Sequence, residues 1–290
     1  MSSPSAIESS APLSDRQITA LLTLLPDEDV TVYQAVREKI LSYGPQANEW
    51  LRPHTLSSDP VLRRRAQEII QHLARQEADN RFLAFCLQQG EEFDVEEGAW
   101  LLAQTQFPDI NVLAYQALFD SYAGELREQI NYGSSAHAIL GAVNRYLFLH
   151  LGFVGNQENY YDPENSFLNR VLDRRTGNPI SLCLIYMLLS RRLRLPVTGI
   201  GMPGHFLCRF QSFKEELYID AFNQGRLLTK ADCIKYLHQS GQGYKEEFLG
   251  PLSSRRLLLR VCSNLHKIYV DLNLSEETAR FQRYMVALGR

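Results

Sequence analysis

The chain has 290 residues, of which 45% are hydrophobic and 22% charged, enough to bury a substantial core in one or two domains. A formal net charge of -3 speaks against a nucleic-acid or anionic-membrane partner, and no apolar run reaches the length of a membrane span. The Arg clusters at 63–65, 174–175, 191–192 and 255–256 are scattered and read as solvated helix faces.

Residues 1–14 are rich in Ser, Ala and Pro, without the basic start and apolar stretch of a secretory signal, and read as a disordered lead. Cys86, Cys183, Cys208, Cys233 and Cys262 show no framework spacing, which fits reduced thiols and a cytoplasmic location. Residues 15–80 read as helical hairpins. Leu21, Leu22, Leu24 and Leu25 end at Pro26, and Val32, Val36, Ile40 and Leu41 recur at helical spacing until Gly44-Pro45. Asp59 suits a helix cap and Pro60 the first helical position, ahead of Leu62, Ala66, Ile69, Ile70 and Leu73. These helices resemble a HEAT-type repeat.

Amphipathic helices continue to about residue 130, and Cys86 among them reads as a small buried hydrophobe. The centre, within a domain expected over residues 81–250, changes character. A Gly-punctuated loop at 151–156 and a turn at 160–165 precede Gly177-Asn178-Pro179, where Asn178 caps a long apolar helix. A strand near Val197, a Gly-rich turn, a strand beginning at His205 and a hairpin partner ending at Asp220 follow, the pattern of an α+β core with antiparallel strands. Residues 251–290 return to helix, with an apolar stripe from Leu257 to Leu272 and a second helix starting at Ser275, a hairpin resembling one tetratricopeptide repeat.

Cys183, His205 and Asp220 form the candidate catalytic set. A thiolate is the nucleophile, a neighbouring imidazolium lowers its pKa, and a carboxylate orients the imidazole. Each residue also has a plainer reading: Cys183 as core in a helix apolar all round, His205 as a structural hydrogen-bonding group, Asp220 as the cap of the turn at 221–223. Strand alternation turns Cys208 away from His205, so His205-x-x-Cys208 is not a zinc pair. No metal site or cofactor is expected, since Cys-x-x-Cys, phosphate-loop, dinucleotide and Gly-x-Ser-x-Gly patterns are missing.

The motifs Phe153-x-Gly155-Asn156, Tyr161-x-Pro163-x-Asn165-Ser166, Leu168-Asn169-x-Val171-Leu172, Arg175-x-Gly177-x-Pro179-Ile180 and Pro203-Gly204-His205-Phe206-Leu207 resemble the bacterial invasion-regulator-type branch of the transglutaminase-like superfamily. That resemblance implies a mostly helical α+β chain with a papain-like core flanked by helical repeats. It also implies a Cys–His–Asp triad, onto which His205 and Asp220 fall. The nucleophile departs from the pattern: the ungapped count back from Leu195-Pro196 lands on Pro179, and Cys183 lies one turn later, about 6 Å further along a helix axis. Asn165, Arg175 and Asn178 are candidate binding residues, while Arg170 and Arg175 either line the cleft or pair with Asp173 and Glu164.

Two functions follow, beside a third reading as a purely structural helical scaffold whose central domain has no working cleft. One is an altered, non-catalytic module that binds a protein or peptide, a reading suggested by Pro179 and the helical repeats. The other is a cysteine-dependent amide hydrolase or acyltransferase using Cys183, His205 and Asp220. Substrate, partner and oligomeric state have no signature in the sequence.

Overall fold

A computed structural model of the chain describes residues 13–290, so most of the expected lead lies outside the described residues. The chain forms two compact units. One holds the residues up to Arg81 together with Thr105–Pro108, and the other holds Phe82–Gln104 and Asp109–Arg290.

The first unit is built from α1 (Asp15–Leu24), α2 (Val30–Leu41), α3 (Ala47–Leu51) and the beginning of α4 (Pro60–Gln88). The caps are local and legible. Asp29 accepts from Thr31 N at 2.7 Å, and Asp59 accepts from Val61 N at 2.8 Å just before Pro60. Gly44, at φ +57°, turns the chain after α2. The core gathers Leu25, Val36, Ile40, Ala66, Ile69 and Leu73 at the helical spacing seen in the sequence. Arg65 lies 4.0 Å above the Tyr33 ring and donates to the carbonyls of Leu25 and Asp27, closing the α1–α2 turn.

The second unit begins with the end of α4 and continues through α5 (Val95–Gln106), whose last two residues belong to the first unit, then α6 (Val112–Gln129) and α7 (Ala136–Asn144), the last running into a π-type turn at Arg145–His150. Two short strands, β1 (Val154–Gly155) and β2 (Thr176–Gly177), pair in parallel on either side of α8 (Leu168–Arg174). α9 (Pro179–Arg192) follows, then β3 (Val197–Ile200), β4 (Leu207–Gln211), β5 (Glu216–Asp220) and β6 (Arg226–Leu228). These four strands form one antiparallel sheet in chain order. α10 (Lys230–Gln239), α11 (Ser254–Asp271) and α12 (Ser275–Leu288) complete the chain, giving the expected mostly helical α+β architecture.

α9 and α10 cover opposite faces of the sheet, and the side-chain period of two assigns residues to each. On β4, Cys208 donates its thiol to Cys183 O of α9 at 3.5 Å, whereas Leu207 packs with Tyr218, Cys233 and Leu237 on the α10 side. α9 is buried on nearly every side, which explains its apolar sequence all round.

Two expectations need correction. His205 does not begin a strand. Gly204 at φ +75° and the bond from His205 N to Met202 O put it in a turn, and the ladder starts at Leu207. Nor are the arginine pairs only solvated faces. Arg192 and Arg191 hold the buried Glu96, with Arg192 Nη1 at 2.9 Å. Arg255 is buried and donates to Cys86 O, Gln89 O, Ala287 O and Leu288 O. Those carbonyls sit at the ends of α4 and α12, where the helices leave acceptors unmatched.

Candidate functional site

The turn after Met202 carries His205 to the mouth of a cleft of 560 Å³ on the α10 side of the sheet. His205 Nε2 lies 3.0 Å from Asp220 Oδ1, with the imidazole 13% exposed. Asp220, the last residue of β5, is held from two more directions: Asn223 N donates to Oδ1 at 3.3 Å and Asn223 Nδ2 to Oδ2 at 2.7 Å. It therefore caps the turn after β5 and faces His205 at once. Burial pushes the Asp220 carboxyl up, but the hydrogen bond and charge of His205 and the two bonds from Asn223 outweigh it and hold the pKa below its ordinary value. A carboxylate in this place fixes the imidazole with Nε2 toward Asp220 and leaves Nδ1 without a protein partner among the described residues.

Aromatic rings flank the imidazole. Phe222 stands edge-on at 6.4 Å and Tyr236 is tilted at 6.0 Å between centroids, with Tyr160 edge-on to Phe222. Gly155 of β1 lies so close to Phe222 that a Cβ there would meet the ring and carbonyl at 2.6 Å. The β1–β2 pair thus sets the position of one cleft wall.

Cys183 is not part of this cleft. It is fully buried in α9, and its thiol donates to Phe206 O at 3.5 Å, against the α9 face of the sheet. No hydrogen bond joins it to His205 among the described residues. Burial, the adjacent Cys208 thiol and the Asp220 charge all push its pKa well up, opposite to the shift that an activated thiolate needs. The thiol that does line the cleft is Cys233 of α10, and burial with Asp232 and Asp220 nearby pushes it up to about 12.

The three candidate binding residues are committed elsewhere. Asn178 caps α9, accepting from Ser181 N at 2.9 Å and donating to Ser166 Oγ at 2.8 Å. Ser181 bonds back at the same helix start, with its hydroxyl 2.6 Å from Asn165 O. Asn165 is completely buried and donates to the carbonyls of Asn159 and Tyr160. Arg175 ends α8 in the left-handed region at φ +55° and lies 4.9 Å over Phe153 and 5.3 Å over Tyr122. Arg170 pairs with Glu164 at 2.9 Å and with Asp173 at 3.6 Å. None of these groups lines the cleft.

Sequence reasoning passed over Arg226, Lys235 and Tyr236, which do line it. The signal was present: Thr229-x-x-Asp232 forms a reciprocal capping box ahead of Cys233 and Leu237 and marks the start of α10. Among the described residues no cluster of three or more His, Cys, Asp or Glu side chains is arranged to hold a metal, and no helix is long and apolar enough to cross a membrane.

An antiparallel sheet backed by a buried helix, with a His in the turn before one strand and an Asp closing the next, fits the transglutaminase-like class that the sequence motifs resemble. Residues 113–263, more than half of the chain, match the transglutaminase-like superfamily, and the chain belongs to that superfamily. It is 39% identical over 188 residues to a UPF0162 protein of Xylella fastidiosa, covering 63% of this chain and 67% of that one. It is 31% identical over 231 residues to human F-box only protein 21, covering 69% of this chain but 36% of the human protein. UPF0162 protein PA3419 of Pseudomonas aeruginosa is 34% identical over 122 residues, 41% of this chain and 44% of that one. No solved structure gives a significant match.

Proposed function

We propose that the chain is an altered transglutaminase-like module of the invasion-regulator-type branch that binds a protein or peptide in the His205 cleft without thiol chemistry. The observation that carries this reading is Cys183: it is sealed in the core, bonded to Phe206 O, and its pKa is pushed up. Pro179 occupies the first position of α9, where the superfamily's cysteine would stand. The human relative supports the word module, because the matched region is only 36% of that longer chain. On this reading the protein is cytoplasmic, residues 15–80 are HEAT-like, and residues 251–290 are a tetratricopeptide-like hairpin that follows the central domain in the chain.

One observation favours a thiol enzyme, either an amide hydrolase or an acyltransferase: the His205–Asp220 contact at 3.0 Å is that of a working imidazole–carboxylate pair. The rate of Cys183 alkylation by iodoacetamide, followed by mass spectrometry from acid to mildly alkaline pH in wild type and His205→Ala, separates the two. Slow labelling that ignores His205 is expected. Fast labelling at low pH that collapses in the variant would replace the binding reading with the enzymatic one.

A further inference from the structure

We propose that the His205 cleft is a carboxylate-binding site, taking a peptide through an acidic side chain or a free C-terminus held by Arg226 and Lys235. This rests on the peptide-binding reading above and names the chemistry of the ligand. The argument turns on which charged groups lining the cleft remain available. Asp220 is committed to His205 and Asn223. Asp232 is committed to the helix start, its Oδ2 accepting from Thr229 N at 2.9 Å and from Thr229 Oγ1 at 2.7 Å. Arg226 and Lys235 are exposed and line the same cleft near Asp232, whose carboxyl is held below its ordinary value first by its bonds from Thr229 and further by these two charges; neither cation makes an ion-pair contact or a side-chain hydrogen bond among the described residues.

Their positions suit a single ligand group. Arg226 stands directly opposite Asp220 in the β5–β6 register, so its side chain leaves the sheet on the same face as the dyad. Lys235 neighbours Tyr236, whose ring flanks His205. The available cations and the aromatic rings of Tyr160, Phe222 and Tyr236 together describe a site for a carboxylate attached to an apolar or planar group. A cleft of 560 Å³ holds one or two residues of a peptide. A neutral ligand would leave both cations to water and the more distant charge of Asp232, so the preference for acid is a difference of affinities set by these two residues.

The test uses the full ¹⁵N-labelled chain and three probes: N-acetyl-Tyr-Glu-amide, N-acetyl-Tyr-Gln-amide and N-acetyl-Tyr-Gly with a free carboxylate. Binding is read from the amide resonances of His205, Arg226 and Tyr236 at low ionic strength, where exposed charge pairs are least screened. The two acidic probes should bind roughly three- to tenfold more tightly than the Gln probe, and Arg226→Gln with Lys235→Gln should erase that difference. Both residues are exposed, so the double variant should keep the wild-type amide spectrum elsewhere. Equal binding of the three probes to wild type, or an acid preference that survives in the double variant, would overturn the carboxylate assignment and leave peptide binding standing. If none of the three probes moves the cleft resonances at millimolar concentration, the carboxylate site and the peptide-binding reading fall together.

Discussion

Replacing Asp220 by Asn keeps the side chain's shape and removes its charge. The wild-type carboxylate meets three donors: His205 Nε2 at 3.0 Å, Asn223 N at 3.3 Å and Asn223 Nδ2 at 2.7 Å. An amide must turn its own NH₂ toward one of them, and the least costly choice faces the exposed Asn223 side chain, which can rotate. The bond to His205 then survives as a neutral one. Charge-assisted bonds contribute about 1.5–3 kcal/mol and neutral ones about 0.5–1.5 kcal/mol, so Asp220→Asn should cost about 1–2 kcal/mol at pH 7. Acid should narrow the gap. The Asp220 carboxyl titrates below its ordinary value of 3.8 in the folded chain, so the folded state binds fewer protons than the unfolded one. Its stabilisation is complete above that ordinary value and is lost as pH falls through the lower folded value. Urea unfolding of wild type and variant, from neutral pH into the acid range, measures both effects. A variant as stable as wild type at pH 7, or a difference that does not shrink in acid, would refute the view that this carboxylate is held ionised by His205 and Asn223.

Gly155→Ala should cost about 1–3 kcal/mol in urea unfolding, because the new Cβ meets the Phe222 ring and carbonyl at 2.6 Å and forces a cleft wall to move. Asn178→Ala should lower the thermal midpoint followed by far-UV circular dichroism by the equivalent of about 1–2 kcal/mol, since the cap bond to Ser181 N and the bond to Ser166 Oγ both go. Arg255→Met should cost about 2–4 kcal/mol with an unchanged denaturant slope, leaving four helix-end carbonyls without their donor.

What the sequence reveals and what it hides divide along a physical line. Asp59-Pro60 and Asn178-Pro179 are legible because a cap and its helix start are neighbours in the chain. Asp220 at the close of β5 is legible for the same reason: strand and turn chemistry are both local. His205 is offset from its strand because a left-handed Gly204 turn intervenes, and alternation carries no warning of that. The packing of Cys183 against Phe206 O and Cys208 depends on how α9 meets β4, which periodicity does not describe. Sequence neighbours suggest acidic partners or the cleft for Arg175, yet its guanidinium lies on Phe153 and Tyr122, one of them far back on α6.

The buried Arg255 also bears on the order in which the chain assembles. Its bond to Cys86 O spans 169 residues and its bond to Leu288 O spans 33. The carbonyls ending α4 stay hydrated until the segment carrying Arg255 has folded back onto them, a contact of long sequence separation of the kind that slows folding. The expectation is that this interaction forms after the folding transition state, so that Arg255→Met speeds unfolding and leaves the folding rate nearly unchanged in stopped-flow kinetics. On that expectation the guanidinium sets how long the native chain stays closed more than how quickly it first closes.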